Sequence, residues 1–192
     1  MAHYFTFVGV DRYSDPLIRD LAGAGNDARA LWALFADTIP DATSELLIDE
    51  NAIGVDVRCA LERALLNATT DDIVWFFFAG HGTRDHRLVM HDTLRSSLTT
   101  TTIAMQDVAD LFKQTKARAA FLILDCCFSG GITARVLEDS PLPRDLHNPL
   151  LDVAGEGRII ITASSFDEPA YELPGHDHGV LTKALLDALE EQ

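Results

Sequence analysis

Ile73-Val74-Trp75-Phe76-Phe77-Phe78-Ala79, followed at once by Gly80-His81-Gly82, is the stretch on which the fold turns. Seven apolar residues with no polar alternation read as a strand buried on both faces, as at the centre of a parallel sheet. A second unbroken apolar run, over residues 119–124, leads into Asp125-Cys126-Cys127-Phe128-Ser129-Gly130. Working outward, strands are predicted over 4–10, 44–48 and 158–163, with a small hairpin at 88–90. Helical spacing of apolar residues predicts helices over 27–36, 55–68, 104–115 and 179–189. Strands alternating with helices define an α/β fold, with a mostly parallel central sheet and helices on both faces. In such folds chemistry sits outside the carboxyl ends of the strands. The connections leaving those ends are 11–26, 80–87, 125–131 and 164–178.

The 192 residues suit a single domain, residues 1–192, with one long Pro- and charge-rich stretch at 129–157. With 47% hydrophobic residues and a mean hydropathy of +0.08, the chain has material for a real core. Thirty acidic against fifteen basic side chains give a net charge of −15, which repels phosphate backbones and attracts cationic peptides. No nucleic-acid partner is expected. The longest apolar run is far short of a membrane span, and residues 1–4 carry no basic flank of a signal peptide. Three cysteines, two of them adjacent, form neither a disulfide framework nor a C-x-x-C metal pair, so a reducing cytoplasm is expected.

His81 stands between two glycines just past one buried strand, and the cysteine pair stands just past another. If the two strands are neighbours, an imidazole and a thiol face each other. A thiolate is the nucleophile of acyl transfer and needs a partner to take its proton. Cys126 is expected to pack, because alternation turns it away from its neighbour. Cys59 is placed in the core on the apolar stripe of its helix.

These two motifs together resemble the caspase-like cysteine peptidases, most closely metacaspases and their bacterial relatives, whose signature is His-Gly after one strand and Asp-x-Cys-x-Ser-Gly after the next. Here they are His81-Gly82 and Asp125 to Gly130, with His81 46 residues upstream of Cys127. The resemblance runs over nearly the whole chain and implies a three-layer caspase-like sandwich. It implies Cys127 as nucleophile, His81 as general base and acid, and the backbone N–H groups of Gly82 and Cys127 as the oxyanion hole. It aligns Asp27, in Leu21-Ala22-Gly23-Ala24-Gly25-Asn26-Asp27-Ala28, and Asp125 with the acidic residues of a primary specificity pocket. Two carboxylates there bind Arg, then Lys, and not Asp. The plainer reading is that Asp27 caps the helix that follows it, and the two roles are compatible. Ser164 falls on the next substrate-binding loop.

The implied protein is a cytoplasmic cysteine endopeptidase that cleaves proteins after basic residues, under control of a stress or defence system with a sensor or regulatory partner. The rival reading is a non-catalytic scaffold acting through protein–protein contacts. Calcium, used by many metacaspases, has no assignable site: residues 83–102 hold only Asp85 and Asp92 as acids. No cofactor is therefore expected. His176 and His178 are read as surface polar residues and not a metal pair. The chain stops at Gln192, short of the strand that builds caspase dimers, so a monomer is expected. Residues 129–157, with Arg135 and Arg144, are the expected self-processing segment. The G-x-G-x-x-A pattern at 23–28 stands a dozen residues past its strand, too far for a dinucleotide turn.

Overall fold

The computed structural model describes residues 1–127, 157–163 and 178–190. The elements run β1 (His3–Gly9), α1 (Ala24–Thr38), β2 (Thr43–Ile48), α2 (Gly54–Asn67), β3 (Ile73–Thr83), β4 (Arg87–Leu88), α3 (Leu98–Thr101), β5 (Ile103–Ala104), α4 (Met105–Gln114), β6 (Ala119–Cys127), β7 (Arg158–Thr162) and α5 (Val180–Glu190). Five of the seven strands form a parallel run in the order β2-β1-β3-β6-β7. β4 pairs antiparallel with the far end of β3, and β5 with β4. The expected α/β architecture is what the chain adopts.

Period-two alternation assigns the side chains of β3 to two layers. Val74, Phe76 and Phe78 join the core beneath α2 and α4, while Trp75, Phe77 and Ala79 join the core beneath α1 and α5. Phe7, Phe76, Phe77 and Phe78 are fully buried, and each such side chain is worth about 1.5–3 kcal/mol of apolar burial. Both faces of the central strands are covered, which is why these strands read as unbroken apolar runs. On the α1 face, Phe35 meets Phe5 edge-on at 4.9 Å, and Trp75 stacks on Phe121 at 4.9 Å between centroids.

The chain leaves β1 to one side for β2 and then crosses to β3 on the other, so strand order reverses between β1 and β3. A crevice opens at such a reversal, outside the carboxyl ends of the strands. Three differences from the sequence reading bear on this edge. β3 continues through Thr83 and β6 through Cys127, so His81 and Cys127 lie on strands and not on loops. Cross-strand pairing sustains those ends where hydrophobicity has already stopped. α1 begins at Ala24, three residues early, because Asp11 accepts the N–H groups of Ala24 and Gly25 at 2.8 and 2.9 Å and caps it from outside. Cys59 is exposed: Val57, Ala60, Leu61, Ala64 and Leu65 form the buried face of α2, and Cys59 falls outside it.

Candidate active site

The register of β3 on β6 sets Ala79 opposite Asp125, Gly80 opposite Cys126 and His81 opposite Cys127. Two motifs 46 residues apart in sequence thus become direct neighbours across one parallel pair. Cys126 is buried in the core layer of α2 and α4, as expected for a packing residue.

His81 is nine-tenths buried and held from several sides. Its Nε2 lies 2.7 Å from the Arg19 carbonyl oxygen. A carbonyl only accepts, so Nε2 carries the hydrogen in the neutral ring and Nδ1 is the basic nitrogen. The Tyr13 ring stacks on the imidazole, with centroids 5.1 Å apart and planes 28° from parallel. The His81 backbone N–H donates to the Tyr13 hydroxyl at 3.1 Å, and that hydroxyl donates to the Val10 carbonyl at 3.0 Å. Gly80 makes room for this arrangement: a Cβ there would lie 2.9 Å from the Phe78 ring and 3.5 Å from the Tyr13 hydroxyl.

The backbone of Gly82 can be aimed by the same bonds. The His81 N–H is taken by Tyr13 and its carbonyl by the Val89 N–H at 3.0 Å, both on the β1 and β4 side of β3. Successive peptide groups alternate direction along a strand. The Gly82 N–H therefore points to the β6 side, where that strand ends at Cys127.

The loop that supplies Tyr13 and Arg19 is tied down along its length. Asp49 accepts the Asp11 and Arg12 N–H groups at 2.8 and 2.9 Å, Asp11 reaches α1, and the Ser14 N–H bonds to the His91 carbonyl. Sequence reasoning marked residues 11–26 as a strand-end loop but did not single out Tyr13 or Arg19. An aromatic within Asp11-Arg12-Tyr13-Ser14-Asp15-Pro16 was the available signal for Tyr13. A backbone carbonyl carries none.

The two acids meet at the start of α5. Asp27 accepts the Gly179 N–H at 3.2–3.3 Å and lies 2.8 Å from His178 Nδ1. Asp125 accepts the Thr182 hydroxyl at 2.8 Å and the Thr182 N–H at 3.3 Å. A Cβ on Gly179 would sit 2.7 Å from Asp125 and 3.1 Å from Asp27, so their carboxylates converge on one point. Burial pushes the Asp27 carboxyl up to about 6; the His178 contact opposes this and the nearby Asp125 reinforces it. Burial likewise raises Asp125, against its bonds from Thr182. Asp27 does not cap its own helix, since Asp11 does so; it reaches the start of α5 instead. His178 is not a surface residue but a half-buried partner of Asp27. Ser164 and His176 lie outside the described residues.

Among the described residues, no group of three or more His, Cys, Asp or Glu is placed to hold a metal ion. Of the two acids in 83–102, Asp92 accepts the Gly54 N–H at 2.9 Å at the start of α2.

The parallel sheet thus carries a histidine and a cysteine in register at adjacent strand ends, beside an acidic pair. The caspase-domain model of peptidase family C14 matches residues 6–192, and the chain belongs to that family. Its general class is therefore peptidase, with protein as substrate. Among solved structures it is similar to protein GSU0716 from Geobacter sulfurreducens, at 14% identity and a TM-score of 0.69, over 100% of this chain and 83% of that one. At this identity the likeness speaks for the fold alone. No curated protein matches the chain. No helix among the described residues is long and apolar enough to cross a membrane.

Proposed function

We propose that this chain is a cysteine endopeptidase that cleaves proteins after Arg, and next after Lys, with Cys127 as nucleophile and His81 as base and acid. The observation that carries the reading is the register that sets His81 opposite Cys127. His81 Nδ1 takes the thiol proton, and the thiolate adds to the scissile carbonyl. The oxyanion forms against the N–H groups of Gly82 and Cys127. His81 then returns the proton to the leaving amine, and water hydrolyses the thioester. Nε2, bonded to the Arg19 carbonyl, holds the ring in the required tautomer throughout.

Basic selectivity is supported by the convergence of Asp27 and Asp125. A guanidinium entering there meets two carboxylates whose oxygens retain accepting capacity beyond the bonds from α5. The family resemblance adds Ser164 to the substrate-binding residues in this reading. The enzyme works as a cytoplasmic monomer without a cofactor, where reducing conditions keep the thiol free. It acts in a stress or defence response, switched by a regulatory partner.

Fluorogenic peptides ending in Arg, Lys or Asp, offered to wild type and to Cys127→Ala, test the reading. Arginyl peptides are cleaved by wild type only. Turnover of aspartyl but not arginyl peptides overturns the specificity. No turnover of any peptide, with Cys127 alkylated no faster than Cys59, leaves a non-catalytic scaffold.

A further inference from the structure

Tyr13 belongs to no motif that the catalytic reading uses, yet it contacts His81 through both its ring and its hydroxyl. The phenol is buried, and burial pushes its ionisation far above the ordinary range, so it remains a neutral phenol with a fixed hydrogen-bonding role. That hydroxyl donates to the Val10 carbonyl and accepts the His81 N–H, which locks the ring to the end of β1. The locked ring then lies nearly parallel to the imidazole. The face of a phenol ring carries negative electrostatic potential and attracts a cation set over it. During the proposed reaction His81 becomes that cation each time it takes the thiol proton.

We propose that Tyr13 is a positioning residue for His81, whose ring face stabilises the imidazolium and, with the Arg19 carbonyl, fixes the orientation of the imidazole. The proposal rests on reading His81 as the base of the dyad. The hydroxyl orients the backbone at His81 and the π face acts on its charge, so the two functions are separable by substitution. Other titratable and charged groups on the surrounding elements are Asp11, Arg12, Asp15, Arg19 and Asp20 on the loop, Asp49 and His91 beside it, Arg84, Asp85, His86 and Arg87 at the turn from β3 into β4, and Cys126 and Cys127 on β6. None of them changes when residue 13 is replaced.

The test is a graded series in the full chain, carrying Cys127→Ala to remove the thiol from the titration. Residue 13 is made Phe, a difluorophenylalanine and pentafluorophenylalanine, which deplete the π face progressively at nearly constant shape. The His81 pKa is followed by NMR with labelled histidine. It falls stepwise along the series, by about half to one unit in total. In the Cys127 enzyme, kcat for an arginyl peptide falls with it while KM stays within about twofold. Tyr13→Phe alone leaves the His81 pKa close to that of the parent. A flat His81 pKa across folded members of the series overturns the proposal. Because the titration needs no turnover, a stepwise fall in a chain that cleaves nothing upholds the contact and overturns only the peptidase reading.

Discussion

Cys126 and Cys127 are chemically identical neighbours to which the reading gives different roles. Cys126 fills the layer under α2 and α4, whereas Cys127 sits at the register position opposite His81. Cys127→Ala and His81→Ala should each lower kcat for arginyl peptides by a thousandfold or more, on the order of a lost nucleophile or base. Cys126→Ala should keep activity and cost about 1 kcal/mol of stability, read from urea unfolding. If Cys126→Ala were inactive and Cys127→Ala active, the nucleophile would be reassigned. Asp27 gives a pH-dependent prediction. Its folded carboxyl holds a proton up to about pH 6, against 3.8 for the free group. Between those values the folded chain binds more protons than the unfolded one, so this group's contribution to stability declines as pH rises through that window. Asp27→Asn should therefore be more stable than wild type at pH 8, by about 1–3 kcal/mol, with the gap closing towards pH 4. In the Cys127→Ala protein, affinity for an arginyl peptide should fall as pH drops below about 6, as the charge that binds the cation is lost. Calorimetry from pH 5 to 8 checks this, and affinity that does not vary over that range would remove Asp27 from the pocket.

The start of α5 is the element on which the acidic pair depends. Asp27 accepts from Gly179, immediately before the helix, and Asp125 from Thr182 in its first turn, where the partial positive charge of a helix N-terminus favours anions. Gly179 lets that end come close. Gly179→Ala should push α5 off Asp125 and raise KM for arginyl peptides about tenfold, while iodoacetamide still alkylates Cys127 at the wild-type rate. Equal KM values would show that the helix start and the pocket are independent. At the opposite end of the sheet, Arg158 opens β7 and donates to the carbonyls of Phe112, Thr115 and Ala117 at 3.0, 2.7 and 3.2 Å. It satisfies the end of α4 and ties it to the sheet. Arg158→Met keeps the stem but leaves those carbonyls short of a donor, at a cost of about 1–3 kcal/mol in urea unfolding with activity per folded molecule unchanged.

At the scale of the molecule, an acidic body with the proposed preference for Arg would meet arginines on its own chain. Residues 129–157, which contain Arg135 and Arg144, lie mostly outside the described residues. A Pro-rich segment of weak patterning is a natural place for proteolytic nicking. Concentrated wild type should split slowly after Arg144 or Arg135, while Cys127→Ala stays whole, as intact mass over a long incubation would show. If both stay whole while arginyl peptides are cleaved, activation lies elsewhere, in a ligand or partner that favours the competent conformation.

The sequence by itself determined the sheet. Unbroken apolar runs such as Ile73–Ala79 can be satisfied only by burial on both faces, and their alternation with helical patterns leaves few topologies. The same runs lead into the two motifs of the proposed dyad, His81 just past one and Cys127 just past the other. What the sequence could not set is any relation that depends on which strand pairs with which. The register that places His81 opposite Cys127 comes from β3 lying beside β6. Cys59 looked apolar by spacing, and only the packing direction of α2 turned it outward. Asp27 met the start of α5, more than 150 positions away, and His178 became its partner there, because two helices cover the same face of the sheet. Tyr13 and the Arg19 carbonyl reach His81 through a loop folded back over a strand end. Periodicity is local and reports which face of an element is buried; contacts between distant elements follow from closing the layers, and that is decided only in three dimensions.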